Sequence, residues 1–249
     1  MIDWLLSTVW YGSVLAILIS SFALVKPRRW LRLPSRMRAA TVLTIAIALL
    51  VGNALNSPRK KGVHLVETKM DASLPDYHFR EFHSRTIDAP PWKVMAAVKA
   101  VTAEEIALFE LFTSIRRFGQ PGPEGILNAP AEQPILEVAT KSGFLLLADE
   151  AQEVVIGSLV ARPPGFRPNR RIDATWFNEL DQPGVVKATM NFIVEGVDAN
   201  ATRLTTETRV FATDDEALRR FTPYWRTIFP GSWILRVTWL NAIAARAEQ

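Results

Sequence analysis

The chain has 249 residues, of which 29 are basic and 25 acidic (net +4), and it contains no cysteine, which excludes disulfides, thiolate metal sites and cysteine nucleophiles. The positive balance belongs to the first quarter alone. Residues 1–61 carry nine Lys and Arg against Asp3, whereas the remainder carries 20 basic and 24 acidic residues, so it lacks the basic stripe that neutralises phosphates and nucleic acid is not an expected partner.

Trp4 to Val25 is a run of 22 residues without a charged side chain, and Ala39 to Leu55 is a second run of 17. A helix rises about 1.5 Å per residue, so ~20 apolar residues cross a hydrocarbon core of ~30 Å. Trp4, Trp10 and Tyr11 suit an interfacial aromatic belt. A cleaved leader is disfavoured, because Asp3 replaces the usual basic start and Phe22 to Lys26 offers no small-x-small cut site. The expectation is a membrane anchor over residues 1–61, with two transmembrane helices at about 4–25 and 39–55 and membrane lipids as partners. Lys26, Arg28, Arg29, Arg32, Arg36 and Arg38 crowd the link, which favours a cytoplasmic hairpin loop. The chain is then a multi-pass cell-membrane protein with an exoplasmic domain.

Asn56 to Pro75 mixes charge with few apolar residues, and residues 62–78 read as a linker. Residues 79–249 are enough for one domain with a single core. Phe79 to Asp88 reads as a strand, stopped by Ala89-Pro90-Pro91. Trp92 to Val101 has Val94, Met95, Val98 and Val101 at helical spacing. Thr102 and Glu105 have the form of a capping box, which predicts a second helix to about Phe118 that buries Ile106, Phe109, Leu111, Phe112 and Ile115. Gly119 to Pro134 reads as loop and Ile135 to Lys141 as a short helical turn. Gly143 to Glu150 and Glu153 to Arg162 follow as strands, and then irregular chain to Ile172.

Val185 to Glu195 alternates cleanly, with Ala188, Met190, Phe192 and Val194 on one face, and Thr202 to Ala212 alternates back after the turn at Asp198-Ala-Asn200. Asp214 caps a long final helix, with Leu218, Phe221, Trp225 and Ile228 at spacings of three and four. Pro230-Gly231 predicts a kink near Phe229. Strand, two helices, antiparallel strands and a long helix make an α+β pattern.

Several fragments, in this order, resemble the helix-grip fold of the START-related SRPBCC superfamily, which includes polyketide cyclase/dehydrase-like proteins. They are Phe82-His-Ser-Arg-Thr-Ile-Asp-Ala-Pro-Pro-Trp92, Ser142-Gly-Phe144 with Glu153-Val-Val-Ile-Gly157, Thr202-Arg-Leu-Thr-Thr-Glu-Thr-Arg209, and Phe221-Thr-Pro-Tyr-Trp-Arg226 before Pro230-Gly-Ser232. The resemblance covers roughly residues 79–248. It implies a curved antiparallel sheet gripping the C-terminal helix, with an apolar cavity between them that holds a hydrophobic small molecule such as a lipid or quinone. It carries no reaction with it.

Few motifs point to chemistry. His64, His78 and His83 lack zinc-site spacing, and His83 reads as a surface or sheet-edge residue; no metal or cofactor is expected. No nucleophile elbow or phosphate loop appears. Arg167, Arg170 and Arg171 read as a solvated basic loop. The candidate ligand-binding residues are Met190, Phe192, Thr206, Thr208, Tyr224, Trp225 and Ile228, which combine apolar surface with hydroxyls able to orient a ligand, although the same stripe can simply be core. The expected role is non-enzymatic binding. One alternative is a cyclase- or dehydratase-like enzyme, for which Tyr224 and Glu207 are the plausible acid/base groups, and the other is an interaction domain with a filled core.

Overall fold

The computed structural model describes residues 2–27, 31, 33–116, 126, 128–168, 170–198 and 200–249. Two compact units divide the chain: Met1–Pro58 with Arg219–Pro230, and Arg59–Leu218 with Gly231–Gln249.

The first unit holds α1 (Ile2–Val25) and α2 (Arg36–Leu55), both long and apolar enough to cross a membrane by length and composition. In each, 17% of the most apolar window is buried, so most of that surface has no protein to pack against, unlike the core helix of a soluble domain. The buried positions are small or polar. Ser7, Ser13, Ser20 and Ala23 of α1 and Ala39, Ala46 and Asn53 of α2 form a seam that lets two backbones approach closely. Asn53 Nδ2 donates to the Leu6 carbonyl at 2.7 Å, so the end of α2 lies beside the start of α1. In the same unit Arg226 is buried with Nη1 3.1 Å from Asp3 Oδ1, and Nη2 donates to the Asn56 carbonyl at 3.3 Å.

The second unit begins with β1 (Lys61–Gly62), α3 (Lys69–Ser73) and β2 (Asp76–Tyr77), where sequence reading expects a linker. Thr68 and Asp71 close a capping box on α3, and Met70 and Leu74 are buried. Two apolar anchors and one box suffice to dock a single turn, too short a pattern to show periodicity. Next come β3 (Phe79–Ile87), α4 (Pro91–Ala100), α5 (Phe109–Arg116), α6 (Ile135–Lys141), β4 (Leu145–Asp149), β5 (Glu153–Ala161), α7 (Ala174–Glu179), β6 (Val186–Gly196) and β7 (Thr202–Ala212). The last helix, α8 (Asp215–Ala247), runs without a break through Pro223 and Pro230, with Asp214 accepting from Ala217 N as its cap. The expected interruption at Pro230-Gly231 is therefore absorbed within one helix.

The sheet is antiparallel throughout, in the order β3-β7-β6-β5-β4. Its inner face sends Ile87, Val154, Ile156, Phe192, Val194 and Leu204 into one buried cluster with Val94 and Val98 of α4, Ile135 of α6 and Trp239, Leu240 and Ile243 of α8. This α+β sheet with a long C-terminal helix against it is the architecture the sequence leads one to expect. Its outer face is covered in part by α3 and α7. Lys187, Thr189 and Asn191, polar residues on the opposite side of β6 from Met190 and Phe192, are therefore buried. Gly157 of β5 admits α7: a Cβ there would lie 2.9 Å from Phe177 Cζ and 2.6 Å from Leu147 Cδ1.

The helix expected to open at Thr102 starts only at Phe109. Glu105 does accept from Thr102 N at 2.7 Å, but it also takes the Arg246 guanidinium of α8; Thr102 forms a bridge to Pro134 and residues 103–108 stay as turns and a bend. As a result Leu111 and Ile115, expected to be buried, are more than half exposed.

Candidate functional site

The inner face of β3 reads Phe79, Glu81, His83, Arg85, Ile87, so Glu81 and His83, with the exposed Arg85 beyond them, sit between apolar ends. Glu81 and His83 are both buried, His83 at 8% exposure. This corrects the reading of His83 as a surface residue: β3 is indeed an edge strand, but α8 covers this side of it, with Trp233 at 5.4 Å from the His83 ring. His83 Nε2 lies 2.8 Å from Glu81 Oε1, and Ser232 Oγ of α8 donates to Glu81 Oε2 at 2.8 Å. Glu81 thereby joins strand to helix with one carboxylate, accepting at both oxygens.

Register extends this cluster across the sheet. Glu81 stands opposite Thr208 of β7 and His83 opposite Thr206, while Met190 and Phe192 of β6 stand opposite Thr208 and Thr206. Directly opposed Cβ atoms are about 5 Å apart, so these six side chains form one patch. Arg236 and Trp239 of α8 lie over it. The guanidinium of Arg236 touches Met190 Sδ and lies 5.3 Å from the Trp239 ring, which in turn meets Phe192 at 5.2 Å. Thr206 Oγ1 donates to the Asn191 carbonyl at 2.7 Å. Thr208 Oγ1 and Trp239 Nε1 are buried with no hydrogen-bond partner among the described residues. Each such group costs about 1–3 kcal/mol while it stays unmet.

Of the seven residues picked from sequence, Met190, Phe192, Thr206 and Thr208 come together on this patch. Tyr224, Trp225 and Ile228 belong to the other unit. There Trp225 is buried and its Nε1 donates to Asp3 Oδ1 at 3.1 Å, Tyr224 is 37% exposed beside Phe221, and Ile228 is half-buried. Glu81, Ser232, Arg236 and Trp239 escaped sequence reading. The available signal was the polar pair Glu81 and His83 on the face of β3 that starts and ends apolar.

A hollow of about 800 Å³ lies elsewhere, on the outer face of the sheet. Its floor is a closed ion network. Arg80 donates through Nε and Nη2 to the two oxygens of Glu207, both at 2.8 Å; Arg209 takes Glu207 at 2.6 Å and Asp71 at 2.7 Å. Burial pushes the Asp71 carboxyl up, but the Arg209 guanidinium and hydrogen bonds from Glu67 N, Thr68 N and Thr68 Oγ1 together hold it below its usual range. Glu207, weighed from sequence as an acid/base group, is thus committed to two arginines. Inner-face packing is continuous around Phe192, Trp239 and Ile243. By contrast Gly231 to Thr238 of α8 are half-buried at every position.

No family model matches this chain, and no curated protein does. Among solved structures it is similar to a hypothetical protein of Helicobacter pylori (TM-score 0.34, 7% identity, 74% of this chain and 97% of that one). It is also similar to an aromatase/cyclase from Streptomyces (TM-score 0.28, 16% identity, 68% and 93%) and to a protein of Thermus thermophilus (TM-score 0.28, 10% identity, 68% and 97%). At these scores no reaction, ligand or partner passes from them to this chain.

Proposed function

We propose that this protein is a membrane-anchored, non-enzymatic binding protein for an apolar small molecule that carries an oxygen group, of the lipid or quinone kind. The ligand lies between the inner face of the sheet and the Gly231–Trp239 stretch of α8. The observation that carries this reading is the pair of orphaned donors, Thr208 Oγ1 and Trp239 Nε1, set among Met190 and Phe192. An apolar surface with a few convergent unmet polar groups is what an orienting pocket requires. Met190 and Arg236 are long, flexible side chains whose rotation makes room. α1 and α2 act as two membrane spans, which keeps the domain beside a bilayer where apolar ligands concentrate. The basic link favours an exoplasmic domain, a point that a reporter fused to Gln249 checks.

Native mass spectrometry of the full chain purified in detergent, followed by organic extraction, tests the binding. A stoichiometric apolar molecule released on denaturation is the expected result. A bare protein mass, with no thermal shift on a panel of lipids and quinones, overturns the reading.

A further inference from the structure

Resting on that reading, we infer that the inner-face site selects a weakly acidic oxygen ligand, a phenol or enol, and holds it as its anion with the ligand's proton on His83. An ionised carboxylate has no proton to give, so the contact of Glu81 with His83 Nε2 at 2.8 Å and with Ser232 Oγ at 2.8 Å makes both neighbours donors. Nε2 therefore carries the hydrogen of the neutral ring, and the basic lone pair sits on Nδ1, which has no hydrogen-bond partner among the described residues. A carboxylate behind an imidazole fixes the tautomer and stabilises the imidazolium once it forms.

The same patch holds the complement. Thr208 Oγ1, across from Glu81, and Trp239 Nε1, against Phe192, are two donors with nothing to donate to. Hydrogen bonds to an anion are about twice as strong as those to a neutral acceptor, so an oxyanion is the ligand state that best uses them. The step is a single proton transfer. The ligand O–H bond breaks, the proton adds to His83 Nδ1, and the electron pair stays on the oxygen facing Thr208 and Trp239. The imidazolium keeps its Nε2 hydrogen on Glu81 and forms an ion pair with it; nothing is oxidised or reduced.

The charged groups around His83 agree with this assignment. β3 contributes Glu81 and also Arg85, whose guanidinium is bonded to Asn241 of α8. α8 contributes Arg236, against Met190 Sδ. β7 and β6 present Thr206, Thr208, Met190 and Phe192 here, and Glu207 and Arg209 line the groove on the opposite face. One anion balances the imidazolium, and the two cations favour an oxyanion.

The test uses 2-naphthol, whose neutral and ionised forms absorb at different wavelengths, added to the full chain in detergent at neutral pH, with detergent alone as reference. The bound probe should show the anion band. With His83→Gln the bound probe should become neutral, and Thr208→Val should weaken anion binding by about tenfold, a lost charged hydrogen bond of ~1.4 kcal/mol. If His83→Gln does not fold, Trp239→Phe, which removes the indole N–H with its fused five-membered ring and keeps an aromatic ring at that position, must reduce the anion band. A neutral spectrum for probe bound to the unmodified protein overturns this inference and leaves the binding reading intact. So does an unbound probe in a preparation that releases an apolar molecule on denaturation. An unbound probe together with a bare protein mass overturns both.

Discussion

Both faces of the five-stranded sheet bury polar side chains, and they use them in opposite ways. On the outer face Arg80, Glu207, Arg209 and Asp71 form a chain of pairs. Beside it Glu153 gathers Lys69 N, Met70 N and Asn191 Nδ2. On the inner face Glu81 and His83 are paired with each other, but Thr208 and Trp239 are left with donors that nothing accepts. The hollow of about 800 Å³ lies on the satisfied face. Volume is therefore a poor guide in this protein, and unmet hydrogen bonds are the better one. Thr189, buried on the outer face without a partner, is the one point at which that face resembles the other among the described residues, and it lies outside the groove.

If the outer network is structural, breaking it should cost the most. Arg209→Met leaves Asp71 and Glu207 buried beside a missing cation, and the expected loss is about 3–5 kcal/mol in denaturant unfolding of the full chain, with ligand retention unchanged in whatever remains folded. A loss under about 1 kcal/mol would show that the network is not what holds α3 down.

A second outer-face group gives a pH signature. Lys187 lies under α7 with Nζ donating to the Phe177 and Asn178 carbonyls at 3.1 and 3.2 Å, and burial lowers its pKa to about 8, with Asp181 opposing. The unfolded chain then binds more protons than the folded one between about pH 8 and the ordinary lysine value, so stability should rise with pH across that window. Unfolding curves should show a rise of order ~2 kcal/mol that Lys187→Met removes.

The inner face calls for the reverse of a loss. Thr208→Val removes a buried hydroxyl with no partner and keeps the shape, so the protein should gain about 1 kcal/mol of stability while its ligand retention falls. Destabilisation by the same substitution would mean that the hydroxyl is satisfied.

The smallest effect is expected at His78, which stacks on Phe211 and accepts from Ala212 N through Nδ1. Burial, with Lys60 nearby, lowers its pKa. The folded state resists protonation, so this contribution is present above the ordinary histidine value and is lost as pH falls through the depressed one. A melting-temperature series from pH 7 to pH 5 should fall less steeply for His78→Gln.

The hairpin Val186–Ala212 was legible because its strands alternate with few exceptions, and α6 and the Asp214 cap because the local chemistry names them. α3 and α7 were not: five and six residues are too few to display a period, and both owe their place to the sheet beneath them. The site was half legible. Met190, Phe192, Thr206 and Thr208 follow from strand alternation, but on β3 alternation points the wrong way, with Phe82 outward at half exposure and Glu81 and His83 inward. Only the pairing of β3 with β7 turns those two toward α8. Nor does sequence show that the middle of α8, with Tyr224, Trp225 and Ile228, groups with α1 and α2.

Comparing native mass spectra of the unmodified chain, Thr208→Val and Arg203→Ala sets one face against the other directly, since Arg203 lies exposed on the outer groove. Loss of the retained mass in Thr208→Val with its persistence in Arg203→Ala is the predicted result. Loss in Arg203→Ala alone would move the ligand to the outer face and contradict this account.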